Sequence, residues 1–223
     1  MTRQHALRVV VADDEALFRS GLTMIIDSQP DLTVVAEAAD GSEAVDAVRA
    51  HRPDVVLMDI QMPRLDGIAA TAAIVNLHVP TRVLVLTTFG TDEFVYDALR
   101  AGASGYLLKT VPPTQLIEAV KSVAHGDALL APLLTRRLIE DWVGRPRRDA
   151  HDPRLARITD REHDVLALIG HGLNNHEIAL QLHLSESTVK THVARVLAKT
   201  GSRDRVQAVV LAYETGIATA GER

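Results

Sequence analysis

Residues 54–60 of this chain read DVVLMDI, a short run of apolar side chains bounded by aspartates. The apolar part is rich in Val and Leu and too short for a helix, which is typical of a buried strand in a parallel sheet. Four runs of the same kind lie elsewhere in the first half of the chain: LRVVVA (7–12), LTVVAEA (32–38), RVLVLTT (82–88) and GYLLK (105–109).

Amphipathic stretches with helical spacing separate these five runs. They begin near Glu15, Gly41, Asp66, Asp92 and Pro112. Five strand and helix pairs in about 120 residues predict an α/β fold, a doubly wound five-stranded parallel sheet of the flavodoxin-like kind. In such a sheet, ligands bind beyond the carboxyl ends of the strands.

The last third of the chain has a different pattern, because every element from Thr159 onward reads as helical. The predicted helices span 160–171, 175–182, 186–200 and 204–216, a small all-α domain of four helices. The segment before them combines a helical stretch, LLTRRLIEDWV, with the Pro-rich and charged sequence GRPRRDAHDP. The sequence therefore predicts a domain over 1–127, a linker with a helical segment over 128–154, and a helical domain over 155–223.

Composition narrows the classes of protein that the 223 residues can form. Apolar residues make up 47% and charged residues 24%, as in soluble globular proteins. The chain has no Cys, which excludes disulfides, thiol catalysis and thiolate metal sites. Its apolar runs fall short of the roughly 18 residues of a membrane span, and Asp13 and Asp14 interrupt any signal peptide. We therefore expect a cytoplasmic protein without a membrane partner.

Charge is unevenly distributed along the chain. Residues 1–127 carry 10 Lys and Arg against 17 Asp and Glu, whereas residues 187–203 carry four basic residues and no acid. A basic stretch of this kind either meets nucleic-acid phosphates or forms a solvated helix face.

Polar residues follow four of the predicted strands. Asp13 and Asp14 end the first, Asp59 the third, Thr87 the fourth and Lys109 the fifth, so all should meet at one edge of the sheet. Clustered carboxylates repel one another, and a hard cation such as Mg²⁺ relieves that repulsion. Asp59 would then act as a nucleophile toward phosphorus, with Thr87 and Lys109 holding the phosphoryl oxygens. The alternative is that these acids only cap helices.

The motifs VVADDE, VVLMDIQMPRLDG, VLVLTTF and AGASGYLLK resemble the receiver domain of bacterial response regulators over residues 7–125. The resemblance implies that Asp59 is the phosphoacceptor and that Thr87 and Lys109 contact the phosphoryl group. It also implies that Tyr106 is a switch residue whose rotamer follows Thr87. The implied Mg²⁺ ligands are Asp13, Asp14, Asp59 and the backbone carbonyl of Gln61.

The third predicted helix of the last domain has one apolar stripe, which must pack inward: Val189, Val193, Val196 and Leu197. Its opposite face holds small residues and cations, a combination that suits a DNA groove: Thr191, Ala194, Arg195 and Ala198, flanked by Lys190, His192 and Lys199. The preceding segments HEIALQL and HLS give a helix-turn-helix layout, with Ser185 as the helix N-cap. An ordinary bundle with a basic surface helix has the same spacing.

The stretch ITDREHDVLALIGHGLNNHEIALQLHLSESTVKTHVARVLAKTGSRDRVQAVVLA closely resembles the LuxR-type DNA-binding domain over about 157–217. A receiver joined to this domain is similar to the NarL/FixJ family of response regulators. By position, Lys190, Thr191, Ala194 and Arg195 would face the major groove, with Lys199 and Arg203 nearer phosphates. The resemblance implies a sensor histidine kinase and promoter DNA as partners, and a homodimer when phosphorylated.

Two other classes of function remain open at this point. A phosphatase that uses an aspartyl-phosphate intermediate is one, but residues 13–17, DDEAL, lack the DxDx[TV] signature of haloacid-dehalogenase-like enzymes. A receiver-based interaction module without DNA binding is the other, and the basic stretch 187–203 argues against it. The last helix carries an apolar set that predicts pairing of two copies: Val206, Val209, Val210 and Tyr213.

Overall fold

The computed structural model describes residues 6–88, 92–126 and 152–218, with the side chains of Asp92 and Glu93 excepted. The chain divides into two compact units, Met1–Leu129 and Leu130–Arg223. The predicted linker, 128–154, lies almost wholly outside the described residues. None of the helices in the described ranges is long and apolar enough to cross a membrane.

In its described residues the first unit alternates strands and helices. Its strands are β1 (Leu7–Ala12), β2 (Leu32–Ala38), β3 (Val55–Met58), β4 (Arg82–Thr87) and β5 (Gly105–Leu108). Its helices are α1 (Ala16–Asp27), α2 (Gly41–His51), α3 (Gly67–Asn76), α4 (Asp92–Arg100) and α5 (Pro113–His125). The predicted α/β class and five-stranded sheet are confirmed, with strand ends that agree to within a few residues.

All the strands pair in parallel, in the order β2-β1-β3-β4-β5. The order reverses direction between β1 and β3, and this reversal opens a crevice at the carboxyl ends of these two strands. All four residues of β3 are buried, because helices cover both faces of a parallel sheet. On one face, α1 and α5 pack on the sheet through Leu22, Ile26, Leu116 and Val120.

In the described residues of the second unit, 152–218, a single 3₁₀ turn, Pro153–Leu155, precedes four helices. These are α6 (Asp160–Gly170), α7 (Asn175–Leu182), α8 (Glu186–Thr200) and α9 (Arg205–Glu214). The predicted all-α domain is confirmed, and each helix ends within two residues of its predicted end. Val165, Leu166, Ile169 and Ile178 form its core together with the inward face of α8.

Side chains define where the helices of this unit start. Thr159 and Glu162 form a capping box at α6, and Asn174 and Glu177 form one at α7. The Ser185 hydroxyl accepts the backbone N–H of Thr188 at 3.1 Å, so Ser185 is the N-cap of α8, as predicted. These caps satisfy N–H groups that the first turn of a helix leaves without partners, and they separate α7 from α8 by a three-residue turn.

The last helix, α9, does not expose the apolar surface that the sequence predicted. Val206, Val209, Val210 and Tyr213 are buried within the chain itself, at 0 to 6% exposure. The argument for dimerisation through surplus apolar surface on this helix is therefore wrong, because spacing alone does not show what already covers a side chain. Pairing of two copies remains a prediction.

Candidate functional site

The carboxyl ends of β1 and β3 bring three carboxylates together. Oxygen atoms of Asp13, Asp14 and Asp59 all lie within 4.8 Å of one another. Asp13 and Asp59 are buried, whereas Asp14 is exposed. Asp13 and Asp59 lie side by side because the Asp59 N–H donates to the Ala12 carbonyl at 2.9 Å. This hydrogen bond extends the pairing of β1 and β3 to the functional residues.

Lys109 lies between the two buried carboxylates. Its Nζ is 2.7 Å from Asp13 Oδ2 and 2.8 Å from Asp59 Oδ2, and its side chain is 5% exposed. Lys109 reaches this position because it directly follows β5, and its N–H donates to the Thr87 carbonyl at 2.7 Å. The ring of Phe18 lies 4.6 Å from the ammonium and shields it on another side.

Burial raises the pKa of the Asp59 carboxyl above its usual value. The Lys109 ammonium lowers this pKa and the Asp13 carboxylate raises it, and the net effect is a raised pKa. Burial would lower the pKa of Lys109, but its hydrogen bonds to Asp13 and Asp59 outweigh burial and raise that pKa. Lys109 is therefore an ammonium at neutral pH. Three carboxylates and one ammonium leave the cluster with an excess of negative charge, which a divalent cation with oxygen ligands would offset.

Thr87 and Tyr106 lie on neighbouring strands beside this cluster. Thr87 ends β4 at 1% exposure, and Tyr106 is fully buried on β5 with Val85 as its strand partner. Gln61 lies in the loop between β3 and α3, with its side chain exposed. The structure thus places the other predicted residues of the receiver site at the carboxyl end of the sheet, whereas Tyr106 is the second residue of β5 and lies further from that edge. The roles of all these residues stay predictions.

The loop that carries Gln61 is attached to its surroundings at both ends. The Gly67 N–H donates to the Ile60 carbonyl at 2.8 Å, and the Gly41 N–H donates to the Leu65 carbonyl at 3.0 Å. Arg64, at φ 63°, reaches across to α2, where its Nη2 contacts Glu43 Oε1 at 2.8 Å and also Asp40. These bonds give the backbone carbonyls of the loop a defined position next to Asp59.

Two residues of this site were missed by the sequence analysis as functional positions. Phe18 contacts Lys109, and Arg19 Nη1 donates to the Asp13 carbonyl at 2.5 Å. Both lie on the first turns of α1, one helical turn beyond Asp14, so their spacing from Asp14 was a usable signal.

In the second unit, α8 presents one continuous exposed face. Val189, Val193 and Val196 are buried as predicted, and Leu197 packs on the core. The opposite side is exposed and contains Lys190, Thr191, Ala194, Arg195 and Ala198. We call these five residues the exposed face of α8.

The cations of α8 have different surroundings. Lys190 makes an exposed ion pair with Glu186, one turn earlier, at 3.2 Å. Arg195 has no hydrogen bond or ion pair with another residue in the described part of the chain. Lys199 instead contacts Glu162 Oε2 of α6 at 2.6 Å, and Arg203 is half-buried in the turn after α8. In this structure the Lys199 ammonium is bound by a buried carboxylate, and the predicted place of Lys199 nearer phosphates stays a prediction.

Two arginines hold the helix-turn-helix segment on the rest of the unit. Arg161 Nη2 donates to the Leu182 carbonyl, the last residue of α7, at 2.8 Å. Arg205 donates to Asn175 Oδ1 at 2.9 Å and to the Leu173 carbonyl at the start of α7. Because both ends of α7 are bound to neighbouring helices, the angle between α7 and α8 is supported from outside the turn.

Comparison with known protein families agrees with both units. Residues 9–121 match the family described as response regulator receiver domain, and residues 156–212 match the bacterial regulatory proteins of the luxR family. A receiver with a buried acidic pocket, joined to a LuxR-type DNA-binding domain, defines a response regulator that acts on transcription. The alternative of an interaction module without DNA binding finds no support in these matches.

Individual relatives extend over nearly the full length of the chain. An uncharacterised transcriptional regulatory protein of Bacillus subtilis, YxjL, is 43% identical, covering 95% of this chain and 97% of its own. The solved structure of ChrA, a response regulator of a heme-sensing two-component system, is 39% identical with a TM-score of 0.53, covering 95% of this chain and 98% of its own. The receiver domain of NarL from Mycobacterium tuberculosis is 41% identical with a TM-score of 0.54, covering 55% and 98%. The chain belongs to the NarL/FixJ family of response regulators.

Proposed function

We propose that a sensor histidine kinase phosphorylates Asp59 and that this phosphorylation controls the binding of the helical domain to promoter DNA. The observation that carries the proposal is the burial of Asp59 and Lys109 together, 2.8 Å apart, beside two further carboxylates. The receiver comprises residues 1–127, the linker 128–154 and the DNA-binding domain 155–223. The phosphorylated protein acts as a homodimer, and the cytoplasm is where it meets kinase and DNA.

The donor set suits Mg²⁺, because Asp13, Asp14 and Asp59 offer hard oxygen atoms within 4.8 Å of one another. The backbone carbonyl of Gln61 would complete the protein ligands. Bound Mg²⁺ would supply positive charge that offsets the charge of the incoming phosphoryl group. Lys109 contacts both buried carboxylates in this structure, so it must exchange some of these contacts for phosphoryl oxygens when Asp59 reacts.

In the reaction itself, a carboxylate oxygen of Asp59 attacks phosphorus, and the bond from phosphorus to the donor breaks. The donor leaves with the electron pair of that bond. Lys109 then holds one phosphoryl oxygen, and the Thr87 hydroxyl donates to another. Tyr106, buried on the adjacent strand, changes rotamer with Thr87 and carries the change to the surface.

On this proposal the chain is a switch and not an enzyme with turnover of its own. Its expected behaviour is a rise in DNA affinity after treatment with acetyl phosphate and Mg²⁺, and loss of that rise when EDTA removes the metal. The measurement is a fluorescence-anisotropy titration with a duplex that the phosphorylated full chain selects from a random-sequence pool. Equal affinity with and without phosphodonor would contradict control by phosphorylation, and sustained phosphate release from a generic phosphate ester would indicate a phosphatase.

The exposed face of α8 is the proposed reader of DNA, with Arg195 at its base-contacting position. Arg195→Ala should cost about 1–3 kcal/mol on the selected duplex and relax the preference at one base pair. The comparison variant, Arg203→Gln, should weaken binding to all duplexes about equally, since Arg203 is predicted to lie nearer phosphates. Anisotropy titrations against single-substituted duplexes measure both. A uniform loss of affinity in Arg195→Ala would refute base reading by this residue.

A further inference from the structure

One carboxylate joins the start of α6 to the end of the proposed recognition helix α8. Glu162 Oε2 accepts the Lys199 ammonium at 2.6 Å and the backbone N–H of Thr159 at 2.8 Å. The Glu162 side chain is 3% exposed and that of Lys199 is 34% exposed. The contact therefore lies on the protein side of α8 and not on its exposed face.

This carboxylate stays ionised under ordinary conditions. The hydrogen bond from Lys199, together with that from Thr159, lowers the pKa of Glu162 to about 2. A buried carboxylate that loses its cation is left without compensation, and such a loss is strongly destabilising. Loss of the contact between Lys199 and Glu162 would therefore destabilise the domain, and this cost keeps the Lys199 ammonium at the Glu162 carboxylate.

The position of Lys199 on the helix gives this contact a consequence for DNA binding. Lys199 follows Arg195 by four residues, so the two side chains are neighbours along the flank of α8. The contact of Lys199 with α6 adds to the packing of Val189 and Val193 on the core in resisting rotation of α8 about its own axis. That rotation decides whether the exposed face, and Arg195 within it, is turned toward a base edge.

We propose that Glu162 is a positioning residue for DNA recognition, which holds Lys199 on the protein side and thereby sets the orientation of Arg195. Lys199 is not a phosphate contact on this reading. The proposal rests on the exposed face of α8 being the DNA-binding surface. It adds to that function a residue on another helix that determines specificity without touching DNA.

The test uses the full chain and the salt dependence of binding, because each phosphate contact contributes about −0.9 to the slope of log affinity against log salt. The probes are the duplex selected by the wild type and a random-sequence duplex. The variants are Glu162→Gln, Lys199→Gln and the double variant, with Arg195→Ala as the control for the DNA-binding surface. The double variant removes both charges together, so it leaves no unpaired buried carboxylate.

In Glu162→Gln, the released Lys199 should steepen the slope by about one contact. Its affinity ratio between selected and random duplexes should fall roughly tenfold, the equivalent of about one base contact. The double variant should return the slope to the wild-type value while the ratio stays low. A role in folding alone would lower the unfolding midpoint without steepening the slope.

Two results would overturn the proposal. One is a slope for the double variant that is shallower than that of the wild type by about one contact, which would make Lys199 a phosphate contact. The other is a Glu162→Gln protein with unchanged slope and unchanged affinity ratio. The control separates this failure from failure of the underlying surface: if Arg195→Ala leaves the affinity for the selected duplex unchanged, the exposed face of α8 is not the DNA-binding surface.

Discussion

Asp59→Asn should accept no phosphoryl group from acetyl phosphate and Mg²⁺, whereas the wild-type chain should accept one. The amide lacks the nucleophilic carboxylate oxygen, yet it has nearly the same shape and can still accept a hydrogen bond from the N–H of Ile60, now 2.7 Å from Asp59 Oδ1. The measurement is intact mass spectrometry before and after brief treatment with base, which hydrolyses an acyl phosphate.

The matched control is Asp46→Asn, an exposed carboxylate on α2 that pairs with Arg49 at 3.0 Å. It removes one aspartate from the same domain, far along the chain from the pocket, and labelling should equal that of the wild type. Equal labelling of Asp59→Asn and wild type would show that another residue is the phosphoacceptor.

Gly67→Ala should unfold the receiver at much lower denaturant concentration, with a loss of about 3 kcal/mol. A Cβ at position 67 would lie 1.9 Å from the carbonyl oxygen of Asp59 and 2.8 Å from its carbonyl carbon. These are backbone atoms that cannot rotate away, and the Gly67 N–H is itself bound to the Ile60 carbonyl at 2.8 Å. Relief of the clash must move the phosphoacceptor, so labelling of Asp59 should fall as well.

Gly21→Ala is the matched control for this substitution. A Cβ at Gly21, inside α1, meets nothing within 4 Å. Alanine is a better helix former than glycine, so this variant should gain about 0.5–1 kcal/mol. Urea unfolding followed by circular dichroism, fitted with one transition for each unit, measures both changes. Indistinguishable midpoints for Gly67→Ala and wild type would mean that the loop after β3 adjusts more easily than its hydrogen bonds indicate.

Both glycines were visible in the sequence, but only one could be interpreted there. Gly67 belongs to the motif that resembles a receiver, while Gly21 lies in an amphipathic stretch. The clash at Gly67 depends on the backbone of Asp59, eight residues earlier, folding back against the start of α3. The number of residues between Gly67 and Asp59 does not show how closely their backbones approach, because that distance depends on the path of the loop.

The receiver site could be predicted well because parallel strands impose their own order. Once the runs at 7–12, 54–60, 82–88 and 105–109 are strands of one sheet, the residues that follow them must meet at one edge. That reasoning placed Asp13, Asp59, Thr87 and Lys109 together without coordinates. It could not reveal that Lys109 spans both buried carboxylates, nor that Phe18 covers the ammonium, because those contacts depend on how α1 packs.

The amino-acid sequence alone determined the two fold classes, the ends of most elements and the exposed face of α8, since each of these follows from local periodicity and capping residues. The tertiary structure decided which side chains of that pattern are free to act. Lys199 and Arg195 look alike in the sequence, but Glu162, 37 residues from Lys199, holds only Lys199. Val206 and Val210 look exposed by spacing and are buried. Periodicity reports the face of a helix on which a residue lies, whereas its partner comes from another part of the chain that only folding brings into contact.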